Sequence, residues 1–189
     1  MAKKAVVLLA EGFEEVEAVT PIDYLRRAGV EVTTAAIGES QAVKGSRGIP
    51  VNADTTLAGL AKQGKADAAS WDAVVIPGGL PGATNLAASK EVGALIKGMA
   101  AAGKWVCAIC ASPAMVLAPL GLLSGKKFTC YPGKEQTVKD GTWAEDRVVI
   151  DGNIITSRSA GTAGNFAIAI IGKLLSEAEG KKIAESVLL

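Results

Sequence analysis

The feature that most limits the possible folds of this sequence is a series of short runs, rich in Val and Ile, that are apolar almost from end to end. The runs occupy residues 4–10, 30–37, 71–78, 104–109, 147–151 and 153–158. A strand with one buried face alternates apolar and polar residues, so continuous apolar runs predict strands that are buried on both faces. Segments with helical patterns separate the runs, which is typical of a parallel sheet with helices on both sides. We therefore predict an α/β fold with a doubly wound, mostly parallel sheet.

Several segments between and after these runs have the apolar spacing of helices. They cover residues 14–29, 89–103, 112–121, 161–178 and 178–189. The first three of them end in glycine, the residue that most often follows the last turn of a helix. The stretch 39–57 is rich in Gly and polar residues, and we predict that it forms a loop or a small hairpin beside the main sheet.

Length and composition limit the class of protein. The chain has 189 residues, of which 49% are hydrophobic, and we expect a single domain over residues 1–189. Its 20 basic and 19 acidic residues are scattered along the chain, which argues against nucleic-acid binding and favours a small, neutral partner. No apolar run approaches the ~20 residues of a membrane helix, and no signal-peptide cleavage pattern follows the first run. Together with only 3 cysteines, this predicts a cytoplasmic protein without membrane contact.

The sequence contains no histidine. Histidine is the usual general base of enzymes, the commonest metal ligand and the partner of the thiol in Cys–His catalysis. Catalysis by a Cys–His pair is therefore excluded.

Two cysteines, Cys107 and Cys110, stand in the segment WVCAICASPA with the C-x-x-C spacing of redox and zinc sites. If residues 104–109 form a strand, the rise of ~3.3 Å per residue puts their Cα atoms about 10 Å apart, too far for a disulfide. A zinc site would need a second ligand pair, and only Cys130 is left to supply a soft ligand. Both alternatives are thus weak, and Cys107, inside the strand, is interpreted as a buried apolar residue.

A third interpretation makes Cys110 a nucleophile on a turn between a strand and a helix. It follows an apolar strand and precedes the predicted helix 112–121, and the small residue Ala111 leaves its sulfur accessible. The N-terminus of a helix favours a thiolate, so we expect the pKa of Cys110 to be lowered. A buried structural role, which is common for free cysteines, is the alternative.

Glycines and acidic residues follow two other predicted strands. The loop PGGLPG at 77–82 comes after the third strand, and loops at the carboxyl ends of parallel strands line the ligand crevice of open α/β sheets. Backbone N–H groups of Gly78 or Gly79, together with that of Ala111, are candidates for binding an oxyanion. A tight turn that needs glycine is the simpler explanation for the loop alone. The first strand is followed by EGFEEVE, whose glutamates are usual in a solvated first helical turn.

As a set, several motifs resemble those of the DJ-1-like proteins of the ThiJ/PfpI superfamily. They are AEGFEEVEAVTPID, RRAGVEVT, SRG at 46–48, VVIPGGLPGATNL, AICASPAMVLA and TSRSAGTAGNFAIAI, and they extend over almost the whole chain. The resemblance implies a flavodoxin-like sheet, a homodimer and an easily oxidised cysteine paired with a protonated glutamate. Matched motif by motif, these residues are Cys110 and Glu17, with backbone N–H groups from Gly79 and Ala111. Arg27 and Arg47 match arginines near the dimer cleft.

The sequence departs from the family pattern at three positions. Tyr131 stands where many relatives have a histidine near the cysteine, so proton transfer through that histidine is unavailable. SAGT at 159–162 replaces the more usual GPGT. Ala111 stands where the peptidase-like branch has histidine, which argues against a peptidase or a glutamine amidotransferase.

The resemblance implies a glutathione-independent glyoxalase that acts on methylglyoxal and similar 2-oxoaldehydes, with protein deglycation as an extension. Cys110 would add to the aldehyde carbon and Glu17 would move a proton between the two carbons, without a metal or an organic cofactor. The alternative is a redox sensor or holdase chaperone, in which oxidation of Cys110 matters and turnover does not. Both use the same two residues, so the sequence does not separate them.

Overall fold

The computed structural model of the chain describes residues 2–189; Met1, which belongs to the expected domain 1–189, lies outside the described residues. Eleven strands are present within this range: β1 Lys4–Leu9, β2 Glu31–Ala36, β3 Ala42–Lys44, β4 Pro50–Asn52, β5 Thr55–Thr56, β6 Ala73–Ile76, β7 Trp105–Ile109, β8 Lys127–Phe128, β9 Thr142–Trp143, β10 Val148–Asp151 and β11 Ile154–Ser157. All six predicted strands are among them.

Six α-helices connect or follow the strands: α1 Glu15–Arg27, α2 Leu57–Lys62, α3 Gly82–Ala88, α4 Lys90–Ala101, α5 Ala163–Leu174 and α6 Glu177–Ser186. Short 3₁₀ helices cover Ala68–Ser70, Glu135–Thr137 and Ala160–Thr162, and a π-helix covers Pro113–Leu117. None of the helices within residues 2–189 is long and apolar enough to cross a membrane.

Seven strands form the central sheet, in the order β10-β11-β7-β6-β1-β2-β5. Every neighbouring pair is parallel except β10 and β11. β3 and β4 form a separate antiparallel hairpin, which confirms the small hairpin expected in 39–57. From β1 the chain first adds β2 on one side and later β6 on the other, so the order reverses between β1 and β6, where open α/β sheets place their ligands.

The side chains of the central strands alternate between two apolar layers. Val6 and Leu8 of β1 pack on the side of α4, whereas Ala5, Val7 and Leu9 pack on the side of α1 and α5. Strands buried on both faces must be apolar throughout, which is the physical reason for the continuous Val-rich runs. The predicted doubly wound, mostly parallel α/β fold is confirmed.

Two helix predictions need correction, and two short helices were missed. The segment 112–121 is not a regular helix: a five-residue π-helix, Pro113–Leu117, is followed by turns. The segment 161–178 is interrupted at Leu175 and Ser176, where the Ser176 hydroxyl accepts a hydrogen bond from the N–H of Glu179 and begins α6. The short helices α2 and α3 were not predicted, because neither offers more than two turns of apolar spacing.

Candidate functional site

Cys110 lies immediately after β7, at the carboxyl edge of the sheet. Its φ is 65°, a left-handed conformation that is uncommon for a residue with a side chain. Two hydrogen bonds hold it there: its N–H donates to the carbonyl of Ser157 at 3.0 Å, and its carbonyl accepts from the N–H of Tyr131 at 2.8 Å. A strained residue held by its neighbours at a strand end is typical of a functional position.

Glu17 reaches the same point from the first turns of α1. Its side chain is fully buried, and Oε2 accepts a hydrogen bond from the N–H of Gly78 at 2.9 Å. The other oxygen, Oε1, is also buried and makes no well-formed hydrogen bond within residues 2–189. The groups beside the carboxyl that can share a proton or donate to it are the Cys110 thiol and the backbone N–H of Ala160.

The side chains of Cys110 and Glu17 both pack against Gly78. A Cβ added to it would lie 2.6 Å from Cys110 Cβ and 2.7 Å from Glu17 Oε2, closer than heavy atoms approach. Glycine is required here for close packing, since any larger residue would separate the thiol from the carboxyl. Gly79 has a φ of 87°, which a residue with a side chain rarely adopts.

Burial controls the protonation of Glu17. Loss of solvent raises the pKa of its carboxyl from 4.5 to about 7, against the lowering effect of hydrogen bonds from Cys110 and Gly78. The carboxyl can therefore exist with or without its proton near neutral pH, which is the condition for a group that both donates and accepts protons.

The expectation of a lowered pKa at Cys110 was wrong. Burial is the largest cause that raises the pKa of this thiol to about 12, and the neighbouring Glu17 adds to it through its charge and hydrogen bond. Hydrogen bonds from the N–H groups of Gly79 and Ala111 act in the opposite direction but do not outweigh burial. The regular helix whose dipole would have favoured the thiolate is absent at this position.

These contacts divide the predicted oxyanion donors into two groups. The N–H groups of Gly79 and Ala111 lie beside the sulfur of Cys110 and lower the pKa of its thiol. The N–H of Gly78 is instead occupied by Glu17, so Gly78 holds the carboxyl rather than offering a donor to a ligand.

The thiol opens into a cavity of about 460 Å³. Residues that line it come from several loops: Glu14, Glu17, Ser46, Arg47, Gly79, Leu80, Cys110, Ala111, Tyr131, Lys134, Ser159 and Ala160. The cavity thus combines the predicted nucleophile and glutamate with residues that the sequence did not single out, of which Lys134 and Leu80 are examples. The signal available in the sequence was the Pro132-Gly133 pair between Tyr131 and Lys134, which is typical of a turn.

The hairpin that contains β3 and β4 brings Arg47 to the cavity. Arg47 Nε lies 3.8 Å from Glu14 Oε2, and that oxygen also accepts a hydrogen bond from the Ser46 hydroxyl at 3.0 Å. Glu15 was expected in a solvated turn but is buried, and its Oε1 accepts from the N–H groups of Arg47 and Ile49. Although burial raises the pKa of Glu15, its backbone hydrogen bonds outweigh this and lower it.

The structure does not bring Arg27 to the cavity. Arg27 ends α1, at the opposite end from Glu17, and its Nε donates to Asp23 Oδ2 at 2.7 Å on an exposed surface. It therefore makes no contact with the candidate site within the chain.

The other two cysteines are free and fully buried. Burial raises the pKa of the Cys107 thiol far above its ordinary value and that of Cys130 to about 12. Cys107 lies within β7, as predicted, and Cys110 follows the strand, and both cysteines are free. Across residues 2–189, no group of three or more Cys, Asp or Glu side chains is arranged to hold a metal ion.

Comparisons with known proteins identify relatives of this fold and site. The sequence model of the DJ-1/PfpI family matches residues 3–173. Protein dj-1beta of Drosophila melanogaster is 41% identical over 100% of this chain and 98% of its own length. Glutathione-independent glyoxalase DJR-1.2 of Caenorhabditis elegans is 33% identical over 98% of this chain and 94% of its own.

Among solved structures, the one titled "Toxoplasma gondii DJ-1, oxidized" has a TM-score of 0.93 and 38% identity, covering 99% of this chain and 98% of the other. The comparisons of sequence and of fold therefore lead to the same family. The chain belongs to the DJ-1/PfpI family.

Proposed function

We propose that this chain is a glutathione-independent glyoxalase, which converts methylglyoxal and similar 2-oxoaldehydes into 2-hydroxy acids. The observation that supports this most directly is the contact between the Cys110 thiol and a buried carboxyl, Glu17, whose pKa is raised to about 7. The reaction needs a nucleophile and one group that gives and takes a proton near neutral pH. The name of the Caenorhabditis elegans relative is consistent with this activity.

In the proposed reaction the sulfur of Cys110 adds to the aldehyde carbon, and Glu17 protonates the aldehyde oxygen to give a hemithioacetal. The N–H groups of Gly79 and Ala111 are placed to stabilise the negative charge that develops on oxygen or sulfur. The Glu17 carboxylate then removes the proton from the former aldehyde carbon and returns it to the neighbouring carbon, while the hydroxyl proton of the hemithioacetal passes through the same carboxyl to the neighbouring oxygen. The product is a thioester, and water hydrolyses it to the 2-hydroxy acid and the free thiol.

The overall reaction consumes one water. It transfers no electrons to an external acceptor, because the aldehyde carbon is oxidised while the neighbouring carbonyl carbon is reduced. It also requires no histidine, since Glu17 performs each proton transfer. Tyr131 lines the cavity but takes no part in these steps.

The experiment that tests this proposal measures lactate formed from methylglyoxal by the purified protein in the absence of glutathione. We expect turnover by the wild type and none above background with Cys110→Ser. A wild-type protein that forms no lactate, with its thiol verified as reduced, would overturn the proposal.

A second candidate function is redox sensing through Cys110. The two N–H groups beside the sulfur and a protonated Glu17 would also stabilise a sulfinate, and a relative has been solved in a form titled as oxidized. Peroxide is the oxidant in this case, and two oxygen atoms are added to the sulfur. Rapid gain of two oxygens on Cys110 in a protein without glyoxalase turnover would favour this function over the first.

A further inference from the structure

The turn that follows Cys130 presents a lysine to the cavity, and its geometry is rigid. The N–H of Lys134 donates to the carbonyl of Tyr131 at 3.0 Å, with Pro132 and Gly133 as the central residues. Gly133 has a φ of 88°, and this combination is a type II turn, which favours Pro and then Gly at these positions. Both ends of the turn, Tyr131 and Lys134, line the cavity.

Two further hydrogen bonds fix the turn to the site. The N–H of Tyr131 donates to the carbonyl of Cys110, so the turn is attached to the residue that carries the reactive sulfur. On its outer side, Glu135 Oε2 accepts the N–H of Gly133 at 2.7 Å. The position of Lys134 relative to Cys110 is thus set by the backbone and not by contacts of the lysine side chain.

The charge of Lys134 is uncompensated within the described chain. Its side chain is half-buried and takes part in none of the ion pairs formed within residues 2–189. The other cation of the cavity, Arg47, faces Glu14, which also accepts from Ser46. Two residues of the hairpin, Arg47 and Ser46, therefore match the charge of Glu14, and the ammonium of Lys134 remains available to a ligand.

The cavity is also larger than the smallest substrates require. A volume of about 460 Å³ lies within the range of roughly 300–1,000 Å³ that holds drug-sized ligands, whereas methylglyoxal has only a three-carbon skeleton. Space therefore remains beside an aldehyde bound at Cys110. A substituent that extends from the reacting carbons would meet a half-buried cation on the Lys134 side.

We propose that the site selects 2-oxoaldehydes that carry an anionic substituent, with Lys134 as the residue that binds it. This inference rests on the proposed function and specifies its substrate class, and it replaces the neutral partner expected from the overall charge of the chain. Charge-assisted hydrogen bonds to a partly buried ammonium are stronger than neutral ones, so the anionic group gains affinity that an uncharged analogue lacks.

The test compares 4,5-dioxopentanoate, a 2-oxoaldehyde with a terminal carboxylate, with its uncharged methyl ester. We expect the wild type to prefer the carboxylate by about tenfold in kcat/KM, and the preference to decrease with added salt. Lys134→Gln should bring the ratio of the two kcat/KM values close to one, while Lys134→Arg should retain the preference. The matched control is Lys139→Gln, an exposed lysine of the same segment that lines a different cavity and should keep the wild-type ratio.

A second measurement separates failure of this inference from failure of the proposed function. 4-Oxopentanoate has the same carboxylate but no aldehyde, and it should slow alkylation of Cys110 by iodoacetamide more than its methyl ester does, in the wild type and not in Lys134→Gln. Protection without turnover of any oxoaldehyde would reject the glyoxalase and keep the anion site. Equal protection by acid and ester, or a preference for the carboxylate that persists in Lys134→Gln, would overturn the inference.

Discussion

Replacement of Glu17 by Gln separates the chemical role of this residue from its structural role. Gln has the same shape, and its carbonyl oxygen can still accept the hydrogen bond from the N–H of Gly78 at 2.9 Å. Its amide can donate to the Cys110 sulfur but cannot take up a proton. Because positioned acid–base catalysis typically contributes ~10²–10⁴-fold in rate, we expect Glu17→Gln to lose at least a hundredfold in lactate formation.

The same substitution has a predictable effect on stability. Burial raises the pKa of Glu17 from 4.5 to about 7, so the folded protein holds this proton more tightly than the unfolded chain. The resulting stabilisation is complete below pH 4.5 and is lost as the pH rises through about 7. The difference between the two pKa values corresponds to about 3 kcal/mol, and Gln shows no such loss.

We therefore expect urea unfolding of the wild type to show a decrease of about 3 kcal/mol between pH 4.5 and pH 8 that is absent from Glu17→Gln. The matched control is Glu14→Gln, which lines the same cavity but pairs with Arg47. It should retain most of the decrease in stability, because burial is the largest cause of the raised pKa of Glu17 and the charge of Glu14 is a smaller one. The assignment of Glu17 would be refuted if Glu17→Gln kept more than a tenth of the wild-type turnover while Cys110→Ser had none.

Three other predictions concern reactivity, packing and assembly. Iodoacetamide should label Cys110 alone in the native protein, as mapped by mass spectrometry, at a rate that rises with pH and levels off above about pH 7. Gly78→Ala should reduce turnover by ~10²-fold by separating thiol and carboxyl. The control Gly98→Ala, whose added Cβ would make only an ordinary contact of 3.7 Å with Ala68 Cβ, should leave turnover intact. The exposed side chains of Val16 and Val19 on α1 predict a homodimer: sedimentation should give about twice 19.2 kDa, and aspartate at both positions should give the monomer.

The sheet was predictable from the sequence because its physical requirement appears directly in the residues. Strands such as β1 and β6 are buried on both faces, so every position after the exposed Lys4 of β1 and every position of β6 is apolar, and the pattern is unambiguous. The helices were less predictable where tertiary contacts, rather than the spacing of apolar residues along the sequence, determine the structure. The π-helix after Cys110 is held by packing of its buried residues Pro113, Ala114, Val116 and Leu117. The local sequence contains no signal that distinguishes this π-helix from a regular α-helix.

The candidate site was predictable where residues follow a strand and much less so where distant loops meet. Cys110 and Gly79 could be placed at one sheet edge by counting strand ends. Lys134 reaches the same cavity through a turn whose location depends on a hydrogen bond between Tyr131 and Cys110, 21 residues earlier in the chain. Long-range contacts of this kind leave no periodic signal in the sequence, and the same is true of the desolvation that raises the pKa of Glu17.

The reactivity of Cys110 must be explained by the pair it forms with Glu17, because its own pKa is raised by burial. Two interacting acids in one site titrate as a unit, and the first proton leaves this pair near pH 7. The remaining proton can lie on sulfur or on the carboxyl. In either arrangement the pair carries a single negative charge. When the proton lies on Glu17, the thiolate accepts hydrogen bonds from the N–H groups of Gly79 and Ala111 and from the Glu17 carboxyl. The thiolate thus forms by transfer of a proton within the pair, without loss of a second proton to water, and this is why alkylation should level off near pH 7 instead of rising toward pH 12.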